Sequence, residues 1–109
     1  HTLAHTIEQY YHYERESHGE AVAIGMYQIT RIAETCGLTA PGCADEIKSV
    51  LTAYDLPHAS GLPIEDLTAA IKLDKKNLNS SLNLILLHTI GDSYIHPSDV
   101  GFFQNAGTV

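Results

Sequence analysis

The chain has 109 residues, 44% of them apolar and 17% charged, with a formal net charge of −7. That length makes one domain able to bury a core without staples, and the acidic balance argues against nucleic acid, whose binding needs a cationic surface. No apolar run approaches the roughly 18 residues of a membrane span. The chain begins with His1 and shows no charged leader followed by an apolar segment, so it reads as a fragment of a longer protein. Cys36 and Cys43 are too few for a disulfide framework and lack Cys-x-x-Cys spacing, so both are expected as reduced thiols of a cytoplasmic protein.

His1 to about Tyr11 has helical spacing, with Leu3, Ile7 and Tyr10 on an apolar side and His1, His5 and Glu8 on another. A second helix is expected from Gly19 to Cys36, with Val22, Met26, Ile29, Ile32, Ala33 and Cys36 as its buried stripe, Gly37 as its C-cap and His18 just before its start. Gly25 inside it would let a neighbour approach closely. A third helix, Ala44 to Tyr54, turns Ile47, Val50, Leu51 and Tyr54 inward and is stopped by Leu56-Pro57. Pro63 opens a fourth that ends in Lys72, Lys75 and Lys76, cations suited to the negative end of a helix dipole. LNLILL, Leu82 to Leu87, is a strand, and Ser93 to Ile95 returns beside it after the Ile90-Gly91-Asp92 turn. A short helix after Pro97 holds Val100, Phe102 and Phe103. The expected fold is mainly α, a single helical bundle of about four to five helices with a small β-hairpin near the C-terminus.

The chemistry-bearing residues gather early. His1 and His5 are four apart, so on a helix both imidazoles project from one face about a turn apart, and His18 follows. A transition metal needs three or four nitrogen, sulfur or oxygen ligands, of which these histidines can supply two or three. A zinc-protease signature would need Glu beside the first His, where Thr2 stands. Glu8, one turn beyond His5, can accept a hydrogen bond from an imidazole and fix its tautomer; it can equally be a solvated carboxylate making only helix-face contacts.

The wording around the histidines adds more. HTLAHTIE (His1 to Glu8), HGEAVAIGM (His18 to Met26), LDKKN (Leu73 to Asn77) and LILLHTIGD (Leu84 to Asp92) resemble, in that order, the C-terminal half of the 3-dehydroquinate synthase family. Its pattern is Gly-His-Thr-x-Gly-His-x-x-Glu, His-Gly-Glu-Ala-Val-Ala-x-Gly-Met, Asp-Lys-Lys, then a short apolar strand ending in Ile-Gly. Ala4 stands where the family usually has Gly, the link Tyr10 to Ser17 is unusually aromatic and charged, and Asn79, Ser80 and Ser81 replace a Gly after Asp-Lys-Lys.

The resemblance implies a two-domain enzyme of the shikimate pathway. Such an enzyme converts 3-deoxy-D-arabino-heptulosonate 7-phosphate to 3-dehydroquinate and phosphate, with NAD carrying the hydride and a divalent metal, Zn or Co, polarising the reacting oxygen. Carried over by position, His1 and His18 are metal ligands, with a Glu from the missing half as the third. His5 is an active-site histidine near the substrate, and Lys75 a phosphate-associated lysine. The N-terminal NAD-binding domain would precede His1, so the chain alone is expected to be inactive. A homodimer is left open for the full-length enzyme. Two other readings remain: another sugar-phosphate cyclase such as 2-deoxy-scyllo-inosose synthase, or a non-catalytic metal-binding helical module.

Overall fold

A computed structural model of the protein describes residues 2–11, 17–61, 66, 82–98 and 102. Among these, three helices, α1 (Thr2–Tyr10), α2 (His18–Thr35) and α3 (Cys43–Ala53), precede an antiparallel hairpin of β1 (Leu82–Thr89) and β2 (Asp92–Ser98). Helix α2 is the axis of the arrangement, since α1, α3 and β1 all pack on it.

Two turn-forming devices set the ends of the helices. At the end of α2, Gly37 takes the left-handed conformation (φ +77°) that costs glycine little. Gly37 N–H then donates to Glu34 O at 3.0 Å and Leu38 N–H to Ala33 O at 2.9 Å, which satisfies carbonyls the helix would otherwise leave open. The same pair of bonds closes α3 (Asp55 N–H to Thr52 O, Leu56 N–H to Leu51 O), with Asp55 at φ +56° in the left-handed position. The helix therefore stops before the proline expected to stop it. Gly42 at the N-cap of α3 has no side chain to offer, and Glu34 Oε1 substitutes by accepting the Ala44 N–H at 2.7 Å.

The core cluster is Ile7 from α1, Ile24, Ile32 and Ala33 from α2, and Leu84 and Leu86 from β1, flanked by Tyr11, Ile29, Leu38, Tyr94 and Phe102. Alternation along β1 turns Leu84 and Leu86 inward and leaves Ile85 exposed opposite Ile95. Gly91, at φ +87°, makes the turn. The hairpin is tied to the connection after α2 by Thr39 Oγ1 donating to Leu87 O (2.6 Å), Ala40 N–H to His88 O (2.9 Å) and Tyr94 O–H to Leu38 O (2.8 Å). Buried Gln28 fastens the loop after α3, donating to His58 O at 2.7 Å while its own oxygen accepts from Arg31 Nε at 2.9 Å.

These findings correct the expected bundle of four to five helices. The described residues hold three helices and a two-stranded sheet, and the hairpin is no minor appendage, because its inner face closes the core over α2. Its strands are also longer than expected, the second running through Pro97. The expected fourth helix, from Pro63, and the short one holding Val100 and Phe103 lie outside the described residues, apart from Asp66 and Phe102.

The buried faces differ too. On α2, Ala21, Ile24, Gly25, Gln28 and Ile32 form one strip and Ala23 and Thr30 lie nearly opposite, whereas Met26 is 47% exposed and Cys36 is exposed. The buried strip is rotated about a quarter turn from the one expected, because α2 has neighbours on more than one side and the small Ala21 and Gly25 are among the residues they cover. On α3, Leu51 is buried as expected, Ile47 is half-buried, and Val50 and Tyr54 are exposed. Both cysteines are free thiols. No helix among the described residues is long and apolar enough to cross a membrane.

The rotated face has a direct consequence for stability. Ile24→Ala, at a fully buried position, is expected to cost about 2–5 kcal/mol. Met26→Ala should stay within about 0.5 kcal/mol. Denaturant unfolding of the two variants checks the assignment, and equal losses would contradict it.

Candidate metal-binding site

His18 is the first residue of α2. Its place is set by the pair that brackets it, Ser17 and Glu20. Ser17 is extended (φ −65°, ψ 164°), its hydroxyl accepts the Glu20 N–H at 3.2 Å, and its own N–H donates to Glu20 Oε1 at 3.0 Å. This reciprocal cap satisfies two of the amides a helix N-terminus leaves open. The pattern Ser17-x-x-Glu20 is legible in the sequence and places the helix start one residue earlier than the apolar periodicity does. Among the described residues, a Cβ added at the neighbouring Gly19 would meet nothing within 4 Å.

Helix α1 supplies the second component. Ala4, Ile7 and Glu8 share its buried face, which packs on α2. Glu8 is only 9% exposed, and its Oε1 lies 3.2 Å from Nδ1 of His18, whose side chain is 63% exposed. An ionised carboxylate has no hydrogen to give, so in this contact Nδ1–H donates and Glu8 accepts. Of the two readings open for Glu8, the structure favours the imidazole partner, and that imidazole belongs to His18 on the next helix.

The other sequence-derived candidates are placed less fully. His5 stands in α1, three residues before Glu8, with its side chain outside the described residues. His1 and Lys75 also lie outside the described residues. Among the described residues no group of three or more His, Cys, Asp or Glu side chains converges on a possible metal position. What the structure brings together is His18 with Glu8. This pairing fits a divalent metal on donor chemistry, because metal-ligating histidines commonly give one ring N–H to a carboxylate and ligate through the other nitrogen.

The fold is shared with a synthase of known structure. The chain matches the crystal structure of a 2-deoxy-scyllo-inosose synthase complexed with carbaglucose-6-phosphate, NAD+ and Co2+, with a TM-score of 0.72 over 97% of this chain and 31% of that one, at 23% identity. Residues 1–77 match the family model described as 3-dehydroquinate synthase C-terminal, and the chain belongs to that family. It is 54% identical over 107 residues to the 3-dehydroquinate synthase of Clostridium perfringens and 47% identical over 105 residues to that of Clostridium botulinum. In each case the alignment takes in 95% of this chain and 30% of the relative, so the chain spans under a third of those proteins.

The cap that positions His18 carries its own pH signature. Hydrogen bonds from the Ser17 backbone N–H and then the Ser17 side chain hold the Glu20 carboxyl below its usual value of 4.5. A carboxyl depressed by folding contributes stability that is present above its unfolded pKa and lost as pH falls through the folded one. The stability advantage of wild type over Glu20→Gln is therefore expected to be full near neutrality and to shrink on acidification below 4.5. Paired unfolding curves at neutral and acid pH measure it, and a gap that widens in acid would contradict the cap.

Proposed function

We propose that this chain is the metal-binding, C-terminal part of a 3-dehydroquinate synthase, which converts 3-deoxy-D-arabino-heptulosonate 7-phosphate to 3-dehydroquinate and phosphate. The observation that carries the reading is an exposed His18 held by a buried carboxylate at the start of a capped helix, within a family match that spans His1, His5, His18 and Lys75. The names of the relatives supply the product, and the family resemblance supplies the substrate. The remaining part of the enzyme, including an N-terminal NAD-binding domain, would lie outside this chain.

In this reading His1 and His18 hold a divalent metal together with a Glu from outside the chain. When bound, that metal would polarise a substrate oxygen, and NAD would supply the hydride chemistry. Imidazole and carboxylate donors accept Zn and Co alike. His18 presents a lone pair in a fixed direction, because Glu8 occupies the other edge of the ring. His5, from the same helix as Glu8, stands near the substrate. Lys75 holds the substrate phosphate as a point charge. The free thiols Cys36 and Cys43 suit a reducing compartment such as the cytoplasm. The likeness to a 2-deoxy-scyllo-inosose synthase favours a cyclase of that kind as a second reading, but 23% identity there against 54% for a dehydroquinate synthase favours the first.

Two experiments on the full-length enzyme test the reading. His1→Ala or His18→Ala should remove both bound metal and turnover, and metal analysis finding His18→Ala fully loaded would refute the ligand assignment. The phosphate role makes a separate demand. Lys75→Ala should lower kcat/KM by about tenfold or more, as expected for loss of a charge-assisted contact, with metal content and NAD affinity retained. Lys72→Ala should change it little. Wild-type efficiency in both lysine variants would refute the phosphate role.

A further inference from the structure

We propose that Glu8 is a positioning residue for His18, selecting the tautomer and ring orientation that turn Nε2 toward a metal; the inference rests on reading His18 as a ligand. Three observations carry it. The carboxylate is the buried member of the pair and the imidazole the exposed one, 9% against 63%. A surface ion pair would leave both members in water, and such pairs contribute little. Here a group that is costly to bury is kept inside the α1–α2 interface with the Nδ1 edge of His18 as its recorded partner among the described residues.

The second observation concerns direction. A carboxylate that can only accept fixes the hydrogen on Nδ1, and in the neutral ring the lone pair then lies on Nε2, the other ring nitrogen. The third concerns the backbone. His18 is held at the first position of α2 by the Ser17 and Glu20 cap, while Glu8 belongs to α1, the helix that also carries His5. Ring plane and helix register are thus fixed by two independent contacts, one within α2 and one across to α1. The carboxylate ties the imidazole of the second helix to the buried face of the first.

The test uses the full-length apo-protein titrated with Zn2+ or Co2+ against a competing chelator. Loss of a carboxylate that orients a ligand histidine typically weakens metal binding about 10- to 100-fold, and that is the expected effect of Glu8→Ala. Glu8→Gln, which keeps an acceptor oxygen, should recover part of it. The thermal midpoint of each apo variant separates this from general destabilisation. Histidine nitrogen NMR of wild type at alkaline pH, which needs no variant to fold, should find His18 as the Nδ1–H tautomer.

The outcomes are distinct. If His18→Ala binds metal as wild type does, the ligand reading fails and this inference falls with it. If His18→Ala abolishes binding while Glu8→Ala stays within about twofold of wild type, the ligand reading stands and the positioning role is overturned. Finding His18 as the Nε2–H tautomer would also overturn it.

Discussion

The packing of α2 against three neighbours is the constraint on which the rest of the structure depends. A helix buried on nearly opposite sides must be narrow on both, and Ala21, Ala23, Gly25 and Ala33 make it so. On one of those sides α1 packs, and its Glu8 reaches His18 at 3.2 Å. The far end of the same helix shows comparable economy. Glu34 caps α3, and the turn at Gly37 delivers Leu38 to the core and Thr39 to the hairpin. Disturbing the α2 packing would therefore move both a candidate ligand and the sheet that closes the core.

Helix ends and the hairpin were legible because they are local. Gly37 stops α2 through its own backbone freedom, and the turn at Ile90-Gly91 needs only the residues that make it. Burial was less legible because it is decided by neighbours distant in sequence. Periodicity ranks Met26 and Ile29 as inward because they are large and apolar, yet Met26 lies at the surface and a glycine one residue away is buried. The bundle expectation failed for a related reason. A six-residue run with five apolar residues tells that a strand exists, but not that its inner face will be the lid of the helical core.

The site divides along the same line. Spacing and wording group His1, His5 and His18, and the family match spans all three, but of their side chains only that of His18 is among the described residues. Which imidazole Glu8 serves was not legible, because the i, i+3 spacing points to His5 while the contact seen is with His18, ten residues away. The signal that could have narrowed the choice is Ser17-x-x-Glu20, which starts α2 at His18. The excess of acidic residues says nothing against an anionic substrate, since a phosphate is held by one or two local cations and distant surface charges are screened over about 8–10 Å.

An arrangement in which one chain segment supplies two histidines and another supplies a carboxylate has a physical consequence. Metal affinity then depends on how well the histidines are already aligned before the last donor arrives, because any freedom they retain must be lost on binding. Here α1 and α2 are joined by side-chain packing at Ile7 and Ile24 and by the Glu8–His18 hydrogen bond, so the two histidine-bearing helices are held in register by contacts made inside this chain. Of the two proposed ligands, His18 is oriented by contacts made inside this chain, while His1 lies outside the described residues. On this reading, part of the ordering cost of the His18 imidazole is met in folding, by the Glu8 contact and the Ser17–Glu20 cap.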